Sequence, residues 1–152
     1  IHSASHKYDQ IYTSEQAFFD DLEQMNSIIK AQTGNDASII RFPGGSSNTV
    51  SKDYCPGIMT QLVNDVTARG LLYCDWNVSS GDANNKPIST EQVVQNVISG
   101  VQSHNVSVVL QHDIKDFSVN AVEQIIQWGQ ANGYTFLPLT TSSPMSHHRV
   151  NN

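Results

Sequence analysis

The sequence predicts an α/β fold in which a parallel sheet or barrel is covered by helices. Short apolar runs typical of strands alternate with segments of helical periodicity along the whole chain. The sequence contains no internal repeat and no low-complexity stretch. With 152 residues, 38% of them hydrophobic, the chain is long enough to form one domain, 1–152, with a substantial core.

The first predicted helix covers residues 14–30. Thr13 or Ser14 supplies its N-cap, and Gly34 lies just beyond its end. Its apolar side chains recur at the helical period. These positions are Phe18, Leu22, Met25 and Ile29.

A strand, a helix and a second strand are predicted next. The run ASIIRF at 37–42 indicates a short buried strand, and 56–70 a helix with Pro at its start and Gly just past its end. The run LLYCDW at 71–76 indicates the second strand. A loop rich in Ser, Gly, Asn and Asp follows it as far as Pro87.

The last part of the chain predicts two more helices and two more strands. Ser89 and Gln92 form a capping box that opens a third helix. The segments 106–112 and 134–139 are predicted strands, and 118–133 a fourth helix between them. The apolar positions of the third helix are Val93, Val94, Val97, Ile98 and Val101.

Composition and charge argue against two classes of partner. The chain has 8 basic and 14 acidic residues, a formal net charge of −6, and no basic cluster that could follow a phosphate backbone. We therefore expect no nucleic acid partner. No apolar run approaches the roughly 18 residues of a membrane-spanning helix, so we expect no such segment in this chain.

Two histidines near the start of the chain form a candidate metal site. His2 and His6 lie four residues apart in HSASH, about one turn of a helix, so both imidazoles could bind one ion. A catalytic metal usually has three protein ligands, and the third is not evident in this motif. Ser3 replaces the glutamate of the zincin motif, so the motif contains no general base.

Polar residues also stand at the ends of the first two predicted strands. Arg41 ends the first, and Pro43 and two glycines after it would let a ligand approach the backbone closely. An ordinary turn with a surface arginine is the alternative. Asp75 and Trp76 end the second strand, where a core tryptophan beside a solvated aspartate is the alternative.

The third predicted strand ends on LQHD. Strand alternation places Leu110 and His112 on one face, so an apolar and a titratable side chain would point into one cleft. His104, His147 and His148 have no such setting and are interpreted as surface residues.

The segments HSASH, RFPGG, CDW and LQH occur in the order of the second to fifth motifs of a known family. In order and spacing the chain resembles the polysaccharide deacetylases, also called the NodB-homology domain or carbohydrate esterase family four, from residue 2 to about residue 139. The resemblance implies a distorted (β/α) barrel that binds a divalent metal, usually zinc.

The resemblance also implies roles for the residues of the first two matching motifs. His2 and His6 would hold the metal together with an Asp, and water on the metal would attack the acetyl carbonyl of an N-acetyl or O-acetyl sugar. An Asp of the family's first motif is the base, and Arg41 would orient it. The backbone amide of Gly44 would help to stabilise the oxyanion.

The remaining two motifs imply the proton donor and the substrate pocket. His112 would protonate the leaving amine, held and kept cationic by Asp75. Trp76 and Leu110 would form the pocket for the acetyl methyl group, with Pro43 also contacting substrate.

The sequence departs from the family pattern at two places. Gly44 stands where many members have an aromatic residue, and the first motif, T-F-D-D, is absent. We therefore expect the chain to be the C-terminal portion of a deacetylase domain, incomplete and inactive without the missing base. A strand edge exposed in such a fragment favours self-association or pairing with the missing N-terminal segment.

The resemblance implies an acetylated polysaccharide as the substrate and an extracellular or cell-wall location. We expect N-acetylglucosamine units of peptidoglycan or chitin-like chains, with an acetylxylan esterase of the same family as the alternative. A noncatalytic carbohydrate-binding domain is a further alternative. His112 and Asp75 argue against it, because binding alone needs no such pair.

Overall fold

The computed structural model describes residues 1–83 and 86–152. Asn84 and Asn85, part of the loop predicted as far as Pro87, lie outside the described residues. The helices of the described residues are α1 (Tyr8–Ile11), α2 (Glu15–Thr33), α3 (Ile58–Ala68), α4 (Thr90–Val101), α5 (Asp116–Val119) and α6 (Val122–Ala131), with a 3₁₀ turn at Val50–Asp53. The strands are β1 (Ile39–Ile40), β2 (Leu72–Tyr73), β3 (Val78–Ser79) and β4 (Val109–Leu110).

The chain forms two compact units. Unit 1 contains Ile1–Asp75 together with Thr140–Asn152, and unit 2 contains Trp76–Leu139. The expectation of one domain over 1–152 stays a prediction.

Helix α2 confirms the first predicted helix and extends it to Thr33. Ser14, rather than Thr13, is the N-cap, and its hydroxyl oxygen accepts a hydrogen bond from Ala17 N at 3.1 Å. Gly34 ends the helix in the left-handed region, at φ +77°.

Strands β1 and β2 form a two-stranded parallel sheet in unit 1. Ile39 pairs with Leu72 and Ile40 with Tyr73. Both lie within the predicted strands, but each is only two residues long. The main chain continues the hydrogen bonding beyond β1, because Arg41 N donates to Ile1 O at 2.8 Å.

The core of unit 1 lies between α2, α3 and this sheet. Tyr12 is fully buried, and its hydroxyl donates to Pro43 O at 2.7 Å, which satisfies its only polar group. The other buried members are Ile11, Phe18, Phe19, Leu22, Ile40, Phe42, Ile58, Met59, Leu62 and Val66.

The start of α3 is satisfied by the last residue of unit 1. The N-cap residue Gly57 makes no side-chain cap. Instead, Gly57 N donates to Asn152 Oδ1, and Thr60 N to Asn152 O, each at 2.8 Å. These bonds occupy two of the backbone donors that a helix leaves without partners at its start.

Unit 2 has a parallel pair of strands and its own small core. Val78 of β3 pairs with Val109 of β4, and Ser79 with Leu110. Ser89 is confirmed as the N-cap of α4, because Gln92 N donates to Ser89 Oγ at 3.2 Å. The capping box is not complete, because the Gln92 side chain donates to Asn96 Oδ1 at 2.9 Å instead of reaching back to Ser89. The core consists of Val93, Val94 and Ala121, with Ile88, Ile98, Phe117 and Ile125 packed against it.

Three sequence predictions in unit 2 are wrong. Strand β3 lies inside the predicted loop, and the helix predicted over 118–133 is divided into α5 and α6. Residues 134–139 form no strand. Leu137 is 80% exposed, and Pro138, which lacks an N–H group, cannot donate to a strand ladder. Within the described residues, no helix combines the length and the apolar character needed to cross a bilayer.

Candidate active site

The two histidines of HSASH meet in unit 1, but not on a helix. Their ring centroids lie 4.9 Å apart. Residues 4 and 5 form a bend, none of residues 2–6 is helical, and His6 has a positive φ of 54°. The two imidazoles therefore come together, as their spacing suggested, but without a helical turn between them.

His2 is oriented by the first strand. Its Nδ1 atom lies 2.8 Å from Arg41 O, and because a carbonyl oxygen only accepts, Nδ1 is the protonated nitrogen when the ring is neutral. Nε2 then keeps its lone pair, as in histidines that bind metals and donate their second N–H group to a carbonyl. Both imidazoles are exposed and so accessible to an ion.

This geometry fits two ligands of a metal site. In the part of the chain that the structure describes, no group of three or more His, Cys, Asp or Glu side chains is arranged to hold a metal ion. A pair of neutral imidazoles suits zinc, which usually requires two further ligands. His2 and His6 thus fit the imidazole part of a zinc site.

Arg41 reaches across to the end of β2. Its Nε donates to Cys74 O at 3.0 Å, and its Nη2 to Asp75 O at 3.3 Å. The guanidinium is therefore held at the end of the sheet where the sequence placed it. Its role in orienting a base stays a prediction.

The segment after Arg41 is a tight turn that requires glycine. Gly44 and Gly45 both have φ +79°, in the left-handed region. A Cβ atom on Gly44 would lie 2.5 Å from the Tyr8 hydroxyl oxygen, so Tyr8 fills the space that a side chain would need. Pro43 is buried, and its carbonyl accepts from Tyr12 and from Asn48 Nδ2, the latter at 3.3 Å.

Asp75 lies fully buried beneath this turn, at 0% exposure. Its carboxylate accepts hydrogen bonds from Ser46 N at 2.8 Å, Ser46 Oγ at 2.5 Å and His148 N at 2.9 Å. Asp75 thus joins the turn to the final segment of unit 1. The sequence predicts a surface position for His148. This residue is half-buried instead, and its backbone N–H belongs to this network.

The carboxylate that holds His112 is Asp82, in unit 2. His112 Nδ1 lies 2.8 Å from Asp82 Oδ1, and His112 N donates to Asp82 Oδ2 at 2.7 Å. Ser118 Oγ also donates to Oδ2, at 2.6 Å. This corrects the predicted pairing of His112 with Asp75, whose carboxylate is bound by Ser46 and His148.

Asp82 is nearly inaccessible, with 2% of its surface exposed. Burial alone would raise its pKa, but hydrogen bonds from Ser118, His112 and Ser80 lower the pKa of this carboxyl to about 2. Asp82 is therefore an anion at neutral pH. Lys115 Nζ also donates to the Asp82 carbonyl oxygen.

No protein-family model matches the sequence. The chain is 28% identical over 140 residues to the peptidoglycan-N-acetylglucosamine deacetylase of Bacillus cereus, and the match covers 90% of this chain and 48% of that protein. It thus spans about half the length of this curated relative. It is also similar to a Streptococcus mutans CE4 esterase of known structure, with 27% identity and a TM-score of 0.70 over 90% of this chain and 60% of that one.

A third match decides the family. The catalytic domain of peptidoglycan N-acetylglucosamine deacetylase from Eubacterium rectale shares 98% identity with this chain. The TM-score is 0.99, and the match covers all of this chain and 69% of that one. This chain belongs to the CE4 polysaccharide deacetylases.

The predicted fold class, the distorted (β/α) barrel of the CE4 deacetylases, is confirmed by these structural matches. In this CE4 chain, Trp76 and Leu110 are half-buried in unit 2, and Leu110 lies on β4 opposite Ser79. Their contact with an acetyl group stays a prediction.

Sequence reasoning missed two acids of this CE4 chain. Asp82 lies in the segment that was predicted to be a loop. It follows the short strand β3, which was not predicted, so its position close after a strand was not recognised. Asp21 lies on the second turn of α2, where charged residues are usually solvated. Its carboxylate instead binds the HSASH loop.

Proposed function

We propose that this chain takes part in the deacetylation of an N-acetylated polysaccharide, with N-acetylglucosamine units of peptidoglycan or chitin-like oligomers as the substrate. The observation that carries the proposal is the hydrogen bond between His112 Nδ1 and the buried, anionic Asp82. A histidine held in this way is suited to transfer a proton. The peptidoglycan deacetylases among its relatives support this substrate class.

The proton donor of the proposed reaction is His112. Asp82 accepts the Nδ1 hydrogen, which fixes the orientation of the ring and stabilises a positive charge on it. Nε2 of the imidazolium then gives its proton to the amide nitrogen of the sugar as the C–N bond breaks. The oxygen added to the acetyl carbon comes from water, so the products are acetate and the free amine.

His2 and His6 are the residues that would hold a divalent metal, most simply zinc. A metal bound there supplies Lewis acidity to the acetyl carbonyl and a more acidic water. His2 can offer Nε2 because Arg41 O occupies its other nitrogen. With only two such ligands among the described residues, we expect this chain alone to bind zinc weakly and to release little acetate.

The remaining predicted site residues have narrower roles in this proposal. Arg41 orients the base, and the Gly44 amide stabilises the oxyanion. Trp76 and Leu110 enclose the acetyl methyl group, and the buried Pro43 shapes the turn that presents Gly44. Because the proposed substrate is a cell-wall or extracellular polymer, we infer an extracellular or cell-wall location.

The test is acetate release from N-acetylglucosamine oligomers, measured for this chain and for the Eubacterium rectale domain that contains nearly the same sequence. We expect the longer domain to be active, and its His112→Ala variant to lose about 10²- to 10⁴-fold in kcat. Oligomer binding without acetate release by the longer domain would favour the noncatalytic alternative. Faster release from acetylated xylan would favour the esterase.

A further inference from the structure

The loop that carries the two histidines is fastened to helix α2 by one carboxylate. Asp21 Oδ2 accepts hydrogen bonds from Ser3 Oγ at 2.6 Å and from Ala4 N at 2.9 Å. Asp21 Oδ1 accepts from Ser5 N at 2.8 Å. Three donors from three consecutive residues thus converge on one side chain, which fixes the position of the loop on α2.

A second hydrogen bond extends this contact to His6. The hydroxyl of Ser3 has one hydrogen, which it donates to Asp21, so its lone pairs are left to accept. Ser3 Oγ accepts from His6 N at 2.8 Å. His6 has a φ of 54°, in the left-handed region that few non-glycine residues occupy, and the hydrogen bond to Ser3 helps to hold it there.

His2, at the other end of the loop, is held independently by Arg41 O. The 4.9 Å separation of the two rings therefore depends on two anchors, the β1 end for His2 and the Asp21–Ser3 contact for His6. The first anchor is a backbone atom, which a side-chain substitution does not remove. The second depends on a single carboxylate.

We propose that Asp21 is a positioning residue that sets the geometry of His2 and His6 and thereby their affinity for a divalent cation. The cation part of this inference rests on the proposed function; the effect on the loop does not. Partners that orient metal ligands typically change metal affinity about 10- to 100-fold when they are removed. Asp21 acts through Ser3 and the backbone and does not itself touch the ion.

The experiment compares Asp21→Asn with Asp20→Asn. Both variants remove one negative charge from adjacent positions of α2, but Asp20 is exposed and its carboxylate accepts from Gln16 Nε2 alone among the described residues, at 2.7 Å. Zinc affinity is measured by calorimetry for this chain. We expect Asp21→Asn to weaken zinc binding about 10-fold or more and Asp20→Asn to leave it within twofold of the parent.

A measurement without metal separates this inference from the proposed function. In zinc-free protein, hydrogen exchange at the His6 amide should accelerate at least tenfold in Asp21→Asn but not in Asp20→Asn. Ser3→Ala, a smaller change, should also accelerate hydrogen exchange at the His6 amide, because it removes the oxygen that accepts from His6 N. This variant takes the place of Asp21→Asn if Asp21→Asn fails to fold.

The zinc and exchange measurements together distinguish a failure of the metal site from a failure of the positioning role. If the parent chain binds no zinc but Asp21→Asn accelerates exchange at His6, the metal part of the proposed function fails and the positioning of the loop stands. If the parent binds zinc and the two aspartate variants match it in affinity and in exchange, the inference is wrong and the proposed function stands.

Discussion

Asp82 Oδ1 accepts a hydrogen bond from His112 Nδ1 at 2.8 Å. The second oxygen of the same carboxylate accepts from the backbone N–H of His112, so ring and main chain are held by one buried group. This double contact restricts both the rotation of the imidazole and the choice of its protonated nitrogen.

Asp82→Asn in the longer Eubacterium rectale domain should lower kcat for acetate release by roughly 10²-fold while KM changes much less. An amide cannot supply the negative charge that stabilises the imidazolium, and its NH₂ group can face the ring as a donor. The matched control is Asp113→Asn, an exposed acid next to His112. Equal rates for the two variants would show that His112 does not depend on Asp82.

Acid should destabilise unit 2 through the same carboxylate. The pKa of Asp82 is lowered from 3.8 to about 2 in the folded chain, so its contribution to stability is complete above about pH 4 and is lost as the pH falls toward 2. The full effect is on the order of 2 kcal/mol. Denaturant unfolding between pH 2 and pH 6 should show a steeper loss of stability for the parent than for Asp82→Asn, and parallel curves would contradict this.

Gly44→Ala should destabilise unit 1 more than Gly70→Ala. Both glycines have positive φ, 79° and 75°, so each alanine meets a backbone strain of about 1–2 kcal/mol. Only at Gly44 would the new Cβ also lie 2.5 Å from the Tyr8 hydroxyl oxygen, whereas nothing lies within 4 Å at Gly70. Unfolding free energies measure the difference, and equal losses would mean that Tyr8 moves aside without cost.

Ser46→Ala should cost about 1–3 kcal/mol, because it removes a 2.5 Å hydrogen bond from the fully buried carboxylate of Asp75. Ser47→Ala is the control. Its hydroxyl contacts His148 Nδ1 at 3.1 Å in a half-buried position, so its loss should matter less. Chemical denaturation of the two variants decides between them, and a Ser46→Ala loss no greater than that of Ser47→Ala would contradict the prediction.

Local signals in the sequence were enough to place the longer helices and the motif loops. Ser14 and Gly34 mark the two ends of α2, and Ser89 marks the start of α4. Such caps can be recognised in the sequence because a capping residue bonds to backbone groups only a few residues away. Arg41 was correctly placed after a strand for the same kind of reason: an apolar run followed by proline and glycine is a local pattern.

The parts that failed depend on contacts between distant residues. The pairing of His112 with Asp82 joins positions 30 residues apart. The family resemblance pointed to Asp75 of CDW instead, and Asp82 lay in a predicted loop. Strand β3 is only two residues long and exists through its register with β4. Asp21 contacts a loop 16 to 18 residues away, a distance that helical periodicity does not encode.

The hydrogen bonds that Asn152 accepts from the start of α3 affect the order in which the two units can finish folding. A ribosome makes Gly57 and Thr60 more than ninety residues before Asn152, and all of unit 2 is made in between. Until Asn152 is made, Gly57 N and Thr60 N lack the partner that they have in the folded chain. The ribosome starts unit 1 first, but all of unit 2 leaves it before the last residues of unit 1 do. Unit 2 can therefore finish folding while unit 1 still lacks its final segment.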